Sequence, residues 1–127
     1  MNEKKEKVKI LVVDDNKFAR MSISMSLDSE TYIFIEAADG LDGLKKLEEN
    51  PDVKLIIADY YMPNMDGLAM CEEIRKKSDH KKIPIFMVTT ESSKAIQEKG
   101  KQVGVMAWMC KPVDKQKLMH IINALNI

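Results

Sequence analysis

Val53-Lys54-Leu55-Ile56-Ile57-Ala58-Asp59 is an apolar run, β-branched at its centre, that ends on a carboxylate. A strand covered on both faces reads as a continuous apolar run and not as an alternation, so this segment is expected inside a parallel sheet. Three other runs end in the same manner. Lys9 to Val13 closes on Asp14 and Asp15, Ile83 to Val88 closes on Thr89, and Val105 to Cys110 closes on Lys111. Parallel strands that each finish on a charged or hydroxyl residue aim those groups at one edge of the sheet, which is where open α/β sheets bind ligands.

Between these runs the chain turns to helical spacing. Phe18, Met21, Ile23, Met25 and Leu27 follow a cap at Asp15 or Asn16, predicting a helix over about 16–28. Tyr32 to Ala37 returns to strand chemistry. Asp39-Gly40 is a turn, and Leu41, Leu44 and Leu47 predict a helix that stops before Pro51. Met62 to Gly67 is too rich in turn formers to be regular, and Asp66-Gly67 reads as a helix start leading into Leu68, Met70, Cys71 and Ile74. Ser92 or Ser93 caps a weaker helix through about Val103, interrupted by Gly100. Asp114 to Leu125 closes the chain, with Leu118, Met119, Ile122 and Leu125 expected inward. Strand and helix therefore alternate with short connections, which predicts a doubly wound five-stranded parallel sheet with helices on both faces. Residues 1–7, charged and without periodicity, are expected to be a flexible lead-in to one domain over 8–127.

Composition narrows the function. Twenty basic and twenty acidic residues cancel, which disfavours a nucleic-acid partner. No apolar run approaches the roughly 20 residues that cross a bilayer, and nothing near the start reads as a signal peptide, so a cytoplasmic chain without membrane insertion is expected. Cys71 and Cys110 lack metal-ligand spacing and are expected to pack as small apolar residues, Cys110 being the one to watch for reactivity beside Lys111. His80 and His120 are expected in solvent, and most of the ten methionines in the core.

Three carboxylates with a lysine and a hydroxyl suit a divalent cation and a phosphoryl group. Mg²⁺ takes oxygen ligands, for which Asp15 and Asp59 fit directly and Asp14 through water. Lys111 and Thr89 supply donors to the remaining phosphoryl oxygens, and Asp59 is the expected nucleophile, since carboxylates form acyl phosphates.

Asp14-Asp15, Asp59 followed by Met62-Pro63 and Asp66-Gly67, Val88-Thr89, and Lys111-Pro112 together resemble the receiver domain of two-component response regulators, of the stand-alone CheY-like class. The resemblance covers about residues 8–125 and implies a flavodoxin-like strand order of 2-1-3-4-5. It implies that Asp59 takes a phosphoryl group from a histidine kinase, with Mg²⁺ held by Asp14, Asp15, Asp59 and the backbone carbonyl of Tyr61. It also implies a cis peptide between Lys111 and Pro112, and a switch in which Thr89 moves toward the phosphoryl group while Trp108 turns inward. Tyr61 and Glu91 stand at the positions that flank the path of the hydrolysing water, and Tyr61 is expected to slow it. Thr90 stands where receivers often carry alanine, narrowing access, and Trp108 where tyrosine or phenylalanine is usual, needing more room.

The leading expectation is thus a monomeric signalling domain, not an enzyme, whose output is binding to a target such as a flagellar motor switch. A phosphorelay shuttle passing the group to a phosphotransfer protein is the alternative within that class. A Mg²⁺-dependent phosphatase with an aspartyl nucleophile would carry DxD on its first strand and a cap for its substrate. Asp14-Asp15 are adjacent, and the sequence leaves no room for a cap.

Overall fold

The computed structural model describes residues 6–127, so the expected lead-in over 1–7 lies largely outside the described residues. Strands β1 (Val8–Val13), β2 (Tyr32–Ala37), β3 (Leu55–Ala58), β4 (Ile85–Thr89) and β5 (Val105–Cys110) alternate with helices α1 (Lys17–Met25), α2 (Gly40–Glu49), α3 (Gly67–Arg75), α4 (Lys94–Gln102) and α5 (Lys115–Leu125). All pairings are parallel, in the order β2-β1-β3-β4-β5, as expected. Alternate strand residues feed two separate cores. Ile10, Val12, Leu55, Ile57, Phe86 and Val88 meet Ile23 of α1 and Leu118 and Ile122 of α5 on one face. Leu11, Val13, Ile56, Ala58, Ile85 and Met87 meet Leu47, Met70 and Ile74 of α2 and α3 on the other.

The helix starts follow their caps. Asn16, Asp39, Asp66, Ser93 and Asp114 each accept from a backbone N–H of the first turn, satisfying donors the helix itself cannot. Two elements are shorter than the sequence suggests. α1 ends at Met25, where Ser26 folds its hydroxyl back onto the Ser22 carbonyl at 2.6 Å. β3 begins at Leu55, because Val53, though buried, gives its N–H to Asn50 in the preceding turn.

Several side chains face the other way from expectation. Phe18, Met21 and Met25 lie outward at 77%, 42% and 75% exposure, since only one face of α1 meets the sheet and Ile23 occupies it. Leu41 is exposed because α2 turns its glycine face inward: a Cβ on Gly43 would lie 2.7 Å from Met70 Sδ. Met119 is exposed on α5 and Met106 on β5, so the methionines are divided between core and surface. His80 is buried, not solvated. Its Nε2 lies 3.2 Å from the Pro51 carbonyl, so Nε2 carries the proton, and Nδ1 has no partner among the described residues. Arg75 holds this corner by donating to the carbonyls of His80, Val103 and Gly104.

Cys110 is exposed, against expectation, because it points outward from the edge strand β5, whereas Cys71 is fully buried with its thiol pushed up to about 12 by burial. Alkylation of the folded chain is therefore expected to label Cys110 and spare Cys71 until denaturant is added. Mass mapping checks this, and label on Cys71 in the folded state would refute it.

Candidate functional site

The sheet ladder runs one residue past the ends of its strands and fixes the backbone of each anchor. Asp14 N–H donates to Ala37 at 3.0 Å, Asp59 N–H to Val13 at 2.9 Å, and Lys111 N–H to Thr89 at 2.9 Å. The anchors therefore sit side by side on one rim, as the sequence predicts. Lys111 Nζ lies 2.7 Å from Asp14 Oδ2 and 2.7 Å from Asp59 Oδ2, an ammonium shared by two buried carboxylates. The other oxygen of each carboxylate is held by the chain just beyond it: Asn16 N–H donates to Asp14 Oδ1 at 2.9 Å and Tyr61 N–H to Asp59 Oδ1 at 3.3 Å.

Burial raises the Asp14 carboxyl above the ordinary range, outweighing the hydrogen bonds from Lys111 and Asn16. For Lys111 burial acts against the charged form, but its bonds to Asp14 and Asp59 prevail and its ammonium holds its proton above the usual lysine value. Asp15 is exposed, and no hydrogen bond or ion pair from the described residues holds its carboxylate. One oxygen each from Asp14, Asp15 and Asp59 lie within 4.8 Å of one another. Three carboxylates against one ammonium leave two negative charges at this rim, and an all-oxygen donor set of that charge fits a hard divalent cation.

Thr89 is fully buried at the end of β4, and its Oγ1 accepts from Glu91 N–H at 3.2 Å, which leaves its own proton to give. Tyr61 is half-exposed beside Asp59, stacked edge-on against Tyr60 at 4.8 Å, and its hydroxyl donates to Glu91 Oε2. Trp108 is half-buried, with Nε1–H donating to the Glu91 carbonyl at 2.7 Å. Gly100, a weak point for α4 by propensity, makes room for that indole: a Cβ there would lie 2.9 Å from its Cζ3. Thr90 is exposed and lines a groove of about 470 Å³ between α1 and the turn Lys111–Val113. The Lys111–Pro112 peptide is cis, as expected.

Some contributors were not marked in the sequence. Arg20 donates from Nη1 to the Asp14 carbonyl at 2.6 Å and from Nε to Glu36 at 2.9 Å, bracing the end of β1. Gly67, marked in the sequence only as a helix start, lies against Asp59, where a Cβ would approach the Asp59 carbonyl oxygen to 2.2 Å. No side chain fits there. Gly67→Ala is expected to lower stability by about 1–3 kcal/mol, the range for overpacking a close contact, and to weaken divalent-cation binding by displacing Asp59. Urea unfolding with and without Mg²⁺ reads both, and a variant equal to the parent in both would show that the contact is not tight.

The model of the response regulator receiver domain matches residues 10–123. The chain belongs to that family. This receiver is 38% identical to the chemotaxis protein CheY1 of Helicobacter pylori over 119 residues, covering 93% of this chain and 96% of that one. It is 36% identical to a chemotaxis protein CheY homolog of Campylobacter jejuni over 121 residues, with coverage of 91% and 93%. Among solved structures, the receiver superposes on CheY4 of Vibrio cholerae with a TM-score of 0.86 at 34% identity, covering 94% of this chain and 98% of that one. It is thus a CheY-like signalling domain of two-component systems. No helix among the described residues is long and apolar enough to cross a membrane.

Proposed function

We propose that the receiver takes a phosphoryl group on Asp59 from the phosphohistidine of a histidine kinase, in a Mg²⁺-dependent reaction, and thereby changes its affinity for a target protein. The observation that carries this reading is the Lys111 ammonium at 2.7 Å from both Asp14 and Asp59. A carboxylate oxygen of Asp59 attacks phosphorus, the phosphorus–nitrogen bond breaks, and the imidazole leaves with the electron pair. Lys111 then turns from the carboxylates to the phosphoryl oxygens, and Thr89 donates its free hydroxyl proton to another. Asp14, Asp15, Asp59 and the carbonyl of Tyr61 would hold Mg²⁺, which when bound neutralises the repulsion between the carboxylate and the incoming group. The relatives named as chemotaxis proteins support a role in chemotaxis-type signalling, and within that role the target proposed is of the motor-switch type. A gain of one phosphoryl group in intact mass after incubation with acetyl phosphate and Mg²⁺ is the test, and an unchanged mass would refute the reading.

Tyr61, tied to Glu91 across the acceptor, stands in the way of the water that would hydrolyse an acyl phosphate. Tyr61→Asn removes both bulk and tether. It is expected to shorten the lifetime of the phosphorylated state about tenfold, as when a positioned group ceases to exclude water. Following decay of the phosphorylated mass decides this, and equal or faster loss in the parent removes the idea.

A further inference from the structure

Glu91 carries four hydrogen bonds that run to four different places. Its N–H donates to Thr89 Oγ1, its Oε1 accepts from Ser93 N–H at the start of α4, its Oε2 accepts from the Tyr61 hydroxyl, and its carbonyl accepts from the Trp108 indole. Residues 90–93 form the link between β4 and α4. Among the described residues, Tyr61 and Trp108 are the only side chains from outside β4 and α4 that hydrogen-bond to this link. Tyr61 is itself anchored at the acceptor, by its N–H on Asp59 and its ring against Tyr60. A continuous chain of contacts therefore runs from Asp59 through Tyr61 and Glu91 to the indole on the far side of the link.

We infer that the Tyr61–Glu91 strap is a positioning device that holds the β4–α4 link in place for Trp108, so that opening the strap releases the indole without any phosphoryl group. Two tethers hold one short link, and without the Tyr61 tether the link is free to move and carries the Glu91 carbonyl away from the indole. A group entering over Asp59 displaces the Tyr61 ring, which lies half-exposed beside the acceptor, and Glu91 then carries the displacement to Trp108. This couples arrival at the acceptor to the β5 surface by a route that bypasses Thr89. The rival account is that packing on Gly100 alone fixes the indole.

The test uses the full chain carrying Asp59→Asn, with no phosphodonor, so its outcome does not depend on whether Asp59 is an acceptor. Tyr61→Phe in this background keeps the ring and deletes only the hydroxyl donor. Amide exchange at Glu91 and Ser93 is expected to quicken about fivefold, the effect of losing one ordinary hydrogen bond on a local opening equilibrium. Acrylamide quenching of Trp108, the single tryptophan, is expected to rise with it. Glu91→Ala should produce at least that indole response, since it also frees Ser93 N–H, and the double variant no more than Glu91→Ala alone, because Tyr61 acts only through Glu91. Gly100→Ala, whose Cβ crowds the ring, calibrates the signal of a displaced indole. Unchanged quenching in Tyr61→Phe overturns the coupling, and so does a double variant whose effects simply add.

Discussion

Asp59→Asn is expected to take up no phosphoryl group from acetyl phosphate and Mg²⁺ under conditions in which the parent chain is expected to gain one. The expectation rests on chemistry more than on packing. Lys111 Nζ and Tyr61 N–H bond to different oxygens of the Asp59 carboxylate. The single amide oxygen therefore keeps the Lys111 bond and gives up the longer one from Tyr61 N–H, and Lys111, still held by Asp14, should stay in place in a folded chain. The substitution also relieves the crowding of like charge, because Asp14 then has the ammonium to itself. What disappears is the nucleophile: a neutral amide does not attack phosphorus, and the product should fall below detection over the parent's time course. Asp14 and Asp15 are the nearest other carboxylates, and Asp15 is open to solvent. Phosphorylation of the variant at either would show that the rim, and not Asp59, selects the acceptor. Intact mass with fragment mapping separates these outcomes, and an unfolding curve like the parent's confirms that the loss is chemical.

The rim was legible because it is a strand-end property. Apolar runs with period-free burial mark central parallel strands, and the residue following each run necessarily falls at the carboxyl edge, so Asp14, Asp59, Thr89 and Lys111 could be placed on one side of the sheet before any side chain was seen. The strand order came from the family resemblance and was borne out. The helices were legible as helices, but not always by face. In α1, Phe18, Met21 and Met25 form an apolar stripe as convincing as the buried one, and hydrophobicity alone does not say which stripe meets the sheet. In α2 the inward face combines Leu47, which leucine spacing finds, with Gly40 and Gly43, whose contribution is close approach instead of apolar area and which that spacing passes over. His80 and Arg75 were illegible for a related reason: both are paired to backbone carbonyls distant in sequence, and a carbonyl leaves no mark in the choice of residue. Glu91 could be placed near the acceptor by family position, yet its link to the Trp108 indole depends on a main-chain oxygen and appears only in three dimensions.

Lys111→Ala is expected to destabilise the folded chain by about 2 kcal/mol at neutral pH, between the cost of breaking an exposed pair and that of breaking a fully buried one. Asp14 and Asp59 are nearly inaccessible, and without the ammonium their carboxylates face each other with only one backbone N–H apiece. The pH dependence gives the sign. Burial already raises the Asp14 carboxyl in the folded state, so folding binds that proton more tightly than the unfolded chain does. Stability is therefore lost as pH rises from the ordinary carboxylate value through the raised one, and regained on acidification. Removing Lys111 pushes in the same direction, so the gap between variant and parent should be widest near neutrality and close as pH falls through the carboxylate range. In the parent, Lys111 itself contributes stability that is present below the ordinary lysine value and disappears as pH climbs through its raised one, a loss the variant cannot show. The ammonium also occupies the Oδ2 atoms that would otherwise face a cation. Mg²⁺ should consequently stabilise the variant more than the parent, the variant gaining about 2.7 kcal/mol in all when Mg²⁺ is present at a hundred times the variant's dissociation constant. Urea titrations across pH, with and without Mg²⁺, read all three effects, and a variant whose stability ignored both pH and Mg²⁺ would mean that Lys111 does not separate the two carboxylates.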